Sequence, residues 1–280
     1  MGEAAPLVVR VCDMMATAQP VGDLLREWRQ RRRMSQLDLA SEAEISTRHL
    51  SFLETGRAQP SRDMVLHLAE QLEVPLRDRN VLLVAAGFAP VFVERALQHP
   101  ALQAARKAVD LVLAGHEPYP ALAVDRHWTM VASNRAVAPM VAGADAALLQ
   151  PPVNVLRLSL HPDGLAPRIV NLPEWRAHLL HRLRRQVEVS ADPVLADLLR
   201  ELAAYPVSPR GPASRAPVSE MAGVMVPVQF ATGQGTLSFF STTTVFGTPL
   251  DITLSELALE AFFPADAATA QALRQLAPAG

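Results

Sequence analysis

One cysteine, Cys12, and one lysine, Lys107, stand in a chain of 280 residues. A single thiol excludes an intrachain disulfide framework and a cysteine-based zinc cluster, and it fits a reducing cytoplasm. With lysine so scarce, nearly every cation is an arginine, the side chain suited to bidentate contacts with phosphate and guanine. A genomic base-composition bias toward Arg, Ala and Pro would leave the same mark. An excess of one charge sign is also missing. The net charge is −2, so any nucleic-acid binding must come from a local patch rather than an overall field. No apolar run reaches the ~18 residues of a membrane span. "PLVVRVCDMMATAQP" is too broken for a signal-peptide core. With Met14 and Met15 as alternative starts, residues 1–20 are expected to be a flexible tail.

Catalytic signatures are missing too. There is no G-x-S-x-G, no phosphate-binding P-loop, no G-x-G-x-x-G and no HExxH. "GQG" sits where a hairpin turn is expected and needs no phosphate. Glu256 and Glu260 lie in a strand-like stretch without sign of acid/base pairing. His178 and His181 are three apart on one helix, but no Cys joins them. The expectation is no enzyme, no cofactor and no metal. Half of the residues are apolar, enough for a sizeable core, and the length suits two domains.

What is present begins with short amphipathic segments. Val21, Leu24, Leu25 and Trp28 recur at helical spacing within 21–33. Ser35 can cap a helix carrying Leu37, Leu39, Ala40 and Ala43. Ser46 can cap a third, with Leu50 and Leu53 inward and Gly56 closing it. Ser61 caps a fourth, with Met64, Val65, Leu68, Ala69 and Leu72, and 77–86 forms a fifth. Helices this short need one compact bundle. The second and third are separated by two or three residues, which is helix-turn-helix spacing.

Gln36, Ala40, Ser46 and "LSFLETGRAQPS" at 50–61 make residues 21–88 resemble the phage-repressor-like, or XRE, helix-turn-helix family. The resemblance implies that Gln36 and Arg57 hold phosphates and that Thr47, Arg48 and Ser51 face bases, with Phe52 beside them. Ser46 completes the interface at the start of that helix. With Leu50 and Leu53 inward, Phe52 shares the outer face with Thr47, Arg48 and Ser51. There it could meet a thymine methyl; alternatively it tucks against the helix at 61–72. Glu44 departs from the family, which usually carries Gly at this turn. A Glu in a left-handed conformation costs on the order of 1 kcal/mol, so an adjusted turn is expected. Arg26, Arg29, Arg31, Arg32 and Arg33 cluster near the first helix end, followed by Arg48, Arg57 and Arg62. They form either a phosphate-binding patch or a solvated helix end that complements the dipole. One such head makes few phosphate contacts, so a homodimer on a palindromic, double-stranded operator is expected.

Residues 89–104, with prolines near both ends, read as a linker. From 105 to 278 the order is a helix, two strands around Asp125–His127, several helices, and three strands. The last helix is capped by Asp266. Asp192 with Pro193 marks a helix start, and 206–220 form a loop rich in Pro, Ser and Arg. The pattern gives an α+β domain, a five-stranded antiparallel sheet with helices over one face.

"GHEPYPALAVDRHW", "NVLRLSLHPDGLAPRIVNLPEWRAHLLHRLRRQ" and "TTTVFGTPLDITLSELALEAFFPADAATAQALR" make roughly 105–275 resemble the ligand-binding domain of MmyB-like transcription regulators. The resemblance implies a PAS-like fold and a buried small-molecule site, with a long-chain fatty acid as the suspected occupant. Val124, Trp128, Val131, Phe230, Phe239 and Phe262 are the candidate lining residues, or plain core. Arg157, His161, Arg168, His178, His181 and Arg182 are the candidates for a polar head group, or a surface Arg and a backbone-bonded His. Arg157 with His161 is the preferred pair, four apart and on one face if the helix reaches 161. The whole chain is thus expected to be an all-α helix-turn-helix domain followed by an α+β PAS-like domain. It would be a cytoplasmic, ligand-responsive transcription regulator. The rival readings are a haem- or metal-sensing or enzymatic PAS-like domain tethered to DNA, and a protein-interaction or dimerisation module without ligand. A Soret band would mark the haem sensor.

Overall fold

The computed structural model describes residues 19–206, 225–233, 235–247 and 249–276. Nearly all of the expected tail, Cys12, and the expected loop beyond Pro206 lie outside them. The chain divides into two compact units, residues 1–94 with Leu250–Ile252, and 95–249 with 253–280.

The first unit contains α1 (Val21–Arg31), α2 (Gln36–Glu42), α3 (Thr47–Glu54), α4 (Arg62–Gln71) and α5 (Leu76–Ala85). Serine caps start three of them. Ser35 accepts from the Asp38 amide in a reciprocal capping box, Ser46 from His49, and Ser61 from Met64. Each satisfies an amide that the helix leaves unpaired. Leu25, Leu39, Leu50, Leu53, Leu68 and Leu83 are fully buried in one cluster between the helices. At ~1.5–3 kcal/mol for each such side chain, this shared core offsets the instability of the separate helices.

The turn between α2 and α3 is not adjusted around Glu44. Glu44 stands at φ 51°, its amide bonded to the Ser41 carbonyl and the next amide, of Ile45, to the Ala40 carbonyl. This is a Schellman closure with Glu where Gly is usual. The tertiary contacts of α2 and α3 overrule the local preference. Glu44→Gly removes ~1–2 kcal/mol of strain and adds about 0.4–1 kcal/mol of unfolded-state entropy. A net stabilisation of about 0–1.6 kcal/mol, read as a rise in Tm, is therefore expected; a lower Tm would contradict it.

The second unit opens with α6 (Gln103–Gly115), then β1 (Ala121–Val124), β2 (Met130–Ser133) and α7 (Val137–Val141). Next come α8 (Val155–Leu160), α9 (Leu172–Ser190) and α10 (Pro193–Ala204). The chain ends with β3 (Val228–Thr232), β4 (Gly235–Val245), α11 (Ile252–Ser255), β5 (Ala258–Pro264) and α12 (Ala267–Leu276). The sheet has the order β2-β1-β5-β4-β3, with every neighbouring pair antiparallel.

Helices cover both faces of this sheet, not one. Leu122 and Val124 join the larger core with α8, α9 and α10, whereas Ala121 and Ala123 face Val109 and Leu113 of α6. β1 is buried along its whole length, which accounts for its unbroken apolar sequence. β5 alternates likewise: Leu259 and Ala261 turn toward α6, Ala258 and Phe262 toward the larger core.

Candidate functional site

The first candidate surface is the outer face of α3. Thr47 and Arg48 are exposed, and Ser51 and Phe52 are half-buried. Ser46 is tied to the helix start through its hydroxyl. Phe52 does not join the helical core. Its ring lies under two cations, the Arg48 guanidinium carbon 5.3 Å and the Arg57 guanidinium carbon 5.9 Å from the centroid. The ring thus makes a platform that holds both arginines beside the outward face.

Beneath this face lies a buried carboxylate. The Glu54 side chain is fully inaccessible, and Arg29 donates to both its oxygens, Nε to Oε1 at 2.7 Å and Nη2 to Oε2 at 2.9 Å. Gln36 adds a bond from Nε2 to Oε2 at 2.7 Å. Burial pushes the Glu54 carboxyl up, but the bonds from Arg29 and Gln36, with the charges of Arg29 and Arg26, hold it below its ordinary value. The pair therefore stays ionised and locks α3 to α1. Gln36, expected at a phosphate, is oriented by this carboxylate through one of its amide hydrogens.

Arg26 and Arg32 also turn inward rather than toward solvent. Arg26 donates to the Glu54 carbonyl at 2.8 Å. Arg32 donates to the carbonyls of Leu72 and Glu73 at 2.8 Å each. Three of the five arginines clustered near the end of α1 thus act as structural braces, while Arg31 and Arg33 are exposed. The partners are 25 to 41 residues away in the chain, which is why local spacing gave no hint of them.

The second candidate site is a cavity of about 110 Å³ between the inner face of the sheet and α7, α8 and α9. That is several times the ~10–15 Å³ that admits one water. Trp128, Phe230, Phe239, Phe262 and Arg182 lie on its wall. Met130, Met140, Leu158, Trp175 and Leu179 complete much of the apolar lining; apolar spacing alone does not separate the wall of a cavity from filled core. Ser159, Ser241 and Glu260 join Arg182 as the polar groups. Glu260 is 5% exposed at its side chain and accepts from Arg182 Nη2 at 2.6 Å. Its strand position disclosed neither the burial nor the partner 78 residues away.

Seven expected lining or head-group residues lie off this wall. Val131 is 38% exposed. The turn before it is longer than expected: Asp125 Oδ1 accepts from the amides of His127 and Thr129, and Trp128 stands at φ 66°. The register shifts between Ala123 and Val124. Met130 pairs with Val124 and Ala132 with Ala123, which leaves Val131 as the extra residue of a bulge, so Met130 lines the cavity and Val131 does not. Val124 is buried in the surrounding core. Arg157 and His161 do not form a shared face, because α8 ends at Leu160 and His161 is extended. Arg157 instead donates to Glu201, with Nε 2.8 Å from Oε1 and Nη2 2.7 Å from Oε2, and this bond holds Glu201 below its ordinary pKa. His161 packs edge-on against Tyr205.

His178 stacks on Trp175 beside the cavity wall. Burial, followed by the charges of Arg182 and His181, pushes its imidazole below its ordinary value. His181 is exposed, and Arg168 donates to the carbonyls of Met140 and Ala142. Arg182, by contrast, sits on the wall, its guanidinium carbon 4.5 Å from the Trp128 ring centroid. The Trp128 indole is itself fixed by a 2.8 Å bond from Nε1 to Gln186. Among the described residues no group of three His, Cys, Asp or Glu side chains could hold a metal ion, and no helix is long and apolar enough to cross a membrane.

A helix-turn-helix bundle with an exposed outer face, followed by an α+β domain with an apolar cavity, defines a DNA-binding protein with a separate ligand-sensing module. Comparison with protein families makes this specific. The model of the MmyB-like transcription regulator ligand binding domain matches residues 105–276, and a helix-turn-helix domain model matches residues 20–82. The chain belongs to the MmyB-like family of transcription regulators and is a ligand-responsive, DNA-binding regulator. No curated protein matches it.

Proposed function

We propose that this regulator binds a palindromic operator as a homodimer and that an acyl-type apolar ligand in the cavity biases the arrangement of its two DNA-binding heads. The observation that carries the ligand reading is the cavity, walled mainly by aromatic and aliphatic side chains with a few polar side chains among them. This is the composition of a site for a mainly apolar small molecule. The ligand class proposed is an acyl compound, with a long-chain fatty acid and its uncharged acyl derivatives as the two candidates. The ligand shifts the equilibrium only by its difference in affinity for the two arrangements.

On α3, Thr47, Arg48 and Ser51 are the proposed base-facing side chains, with Arg57 and Gln36 at phosphates. Phe52 supports the arginines and is itself positioned to meet a thymine methyl.

The test is a gel-shift titration of the purified full chain against its own upstream DNA at several salt concentrations. Selective binding that weakens as salt rises is expected. Phe52→Ala removes two stacking contacts of ~0.5–1 kcal/mol each, so a loss of affinity on the order of tenfold with little change in Tm is expected. Absence of any selective shift would refute the DNA reading. Unfolding of Phe52→Ala would make Phe52 a core residue and leave base reading to Thr47, Arg48 and Ser51.

A further inference from the structure

The polar end of the cavity is already neutralised. Arg182 is the one cation among the described lining residues, and Glu260 is the one carboxylate. Arg182 reaches Glu260 through Nη2 to Oε1 at 2.6 Å and Nη1 to Oε2 at 3.2 Å. Thr243 adds a bond from its hydroxyl to Oε1 at 2.9 Å, and Arg182 Nη2 in turn donates to the Thr243 hydroxyl at 2.8 Å. The remaining polar lining is uncharged: the Ser241 hydroxyl and the Ser159 hydroxyl, which accepts from the Trp175 indole at 3.0 Å. On the same helix, burial and then the charges of Arg182 and His181 disfavour the charged form of the His178 imidazole.

A free carboxylate entering this end would meet Glu260 before any uncompensated cation. Like charges brought together away from bulk water repel strongly, and pulling Arg182 away would strand Glu260 without its partner. A neutral head group meets neither cost. Glu260 Oε2 carries a single, longer bond, whereas Oε1 carries two. A ligand N–H or O–H can therefore be accepted at Oε2 without displacing the pair.

We infer that the cavity selects an apolar chain with an uncharged, hydrogen-bond-donating head, such as a primary amide or an alcohol, over the corresponding free carboxylate, with Glu260 as the discriminating residue. This rests on the acyl-type ligand reading above and sharpens it.

The probes are decanamide and decanoate, titrated into the full chain at neutral pH by calorimetry, with the fluorescence of Trp128 and Trp175 following occupation of the wall. Decanamide should bind at least tenfold more tightly. In Glu260→Gln, which keeps the shape and an acceptor oxygen for Arg182, decanoate should gain tenfold or more while decanamide changes little. Decanoate binding the wild type as tightly as decanamide overturns the inference and leaves the cavity reading intact. A folded Glu260→Gln chain with unchanged decanoate affinity removes Glu260 as the discriminator and also overturns it. If neither probe binds the wild type, the acyl-ligand reading itself falls. The wild-type comparison decides even if the variant does not fold.

Discussion

Arg29→Ala is expected to cost the first unit about 3–5 kcal/mol, the range for removing one partner of a buried ion pair. The reason is the position of Glu54. Its side chain is fully buried, and Arg29 donates to both of its oxygens. Without Arg29, the carboxylate keeps Gln36 at Oε2 and Arg26 3.7 Å away, but the paired donors at both oxygens are lost.

The pH dependence separates this from simple loss of packing. In the wild type the folded Glu54 pKa lies below its ordinary value of 4.5. Its contribution to stability is therefore full above that value and is lost as pH falls through the folded pKa. In Arg29→Ala the desolvation of Glu54 is no longer offset by its main partner, which raises the folded value. The deficit relative to wild type should be largest at neutral pH and narrow as the solution is acidified. Thermal unfolding at a series of pH values measures both. A deficit that stays constant with pH would assign the loss to packing alone.

Gly22→Ala should be the second severe substitution. A Cβ at Gly22 would lie 2.4 Å from the Leu53 carbonyl oxygen and 2.8 Å from that of Glu54. Both are backbone atoms of α3, so no side-chain rotation relieves the clash. The helix carrying Thr47, Arg48, Ser51 and Phe52 has to move away from α1. It would do so against the Arg26 bond to the Glu54 carbonyl. Overpacking of this kind costs about 1–3 kcal/mol, and more where backbone must shift. Operator affinity should fall along with Tm, because the displaced helix is the one proposed to read bases. A variant with wild-type Tm and affinity would show that α1 and α3 can separate freely, contrary to the geometry.

Much of the architecture was legible in the sequence because its causes are local. Ser35, Ser46 and Ser61 cap the helices they precede, and Asp192 accepts from the Val194 amide at the start of α10. Apolar spacing placed Leu50 and Leu53 inward and so set the outer face of α3. The five antiparallel strands followed from alternation and turn residues. The candidate cavity was legible only in part. Aromatic side chains on or beside strands were easy to nominate, and Phe230, Phe239 and Phe262, with Trp128 in the turn before β2, do lie on the wall. Val131 failed because it is the unpaired extra residue of a bulge between Met130 and Ala132, and composition does not reveal a bulge.

By itself the sequence determined which segments are helix or strand, where they start, and the order of the two domains. Capping, periodicity and turn chemistry act within a few residues, so they are written in consecutive letters. Only the tertiary structure decided how the charges are used. It sent Arg29 to Glu54 across 25 residues, Arg157 to Glu201 across 44, and Arg182 to Glu260 across 78. A charged side chain costs free energy to bury unless a partner meets it, and the partner is chosen by the packing of distant elements. The same packing turned Glu260, an unremarked residue in a strand, toward the polar end of the cavity.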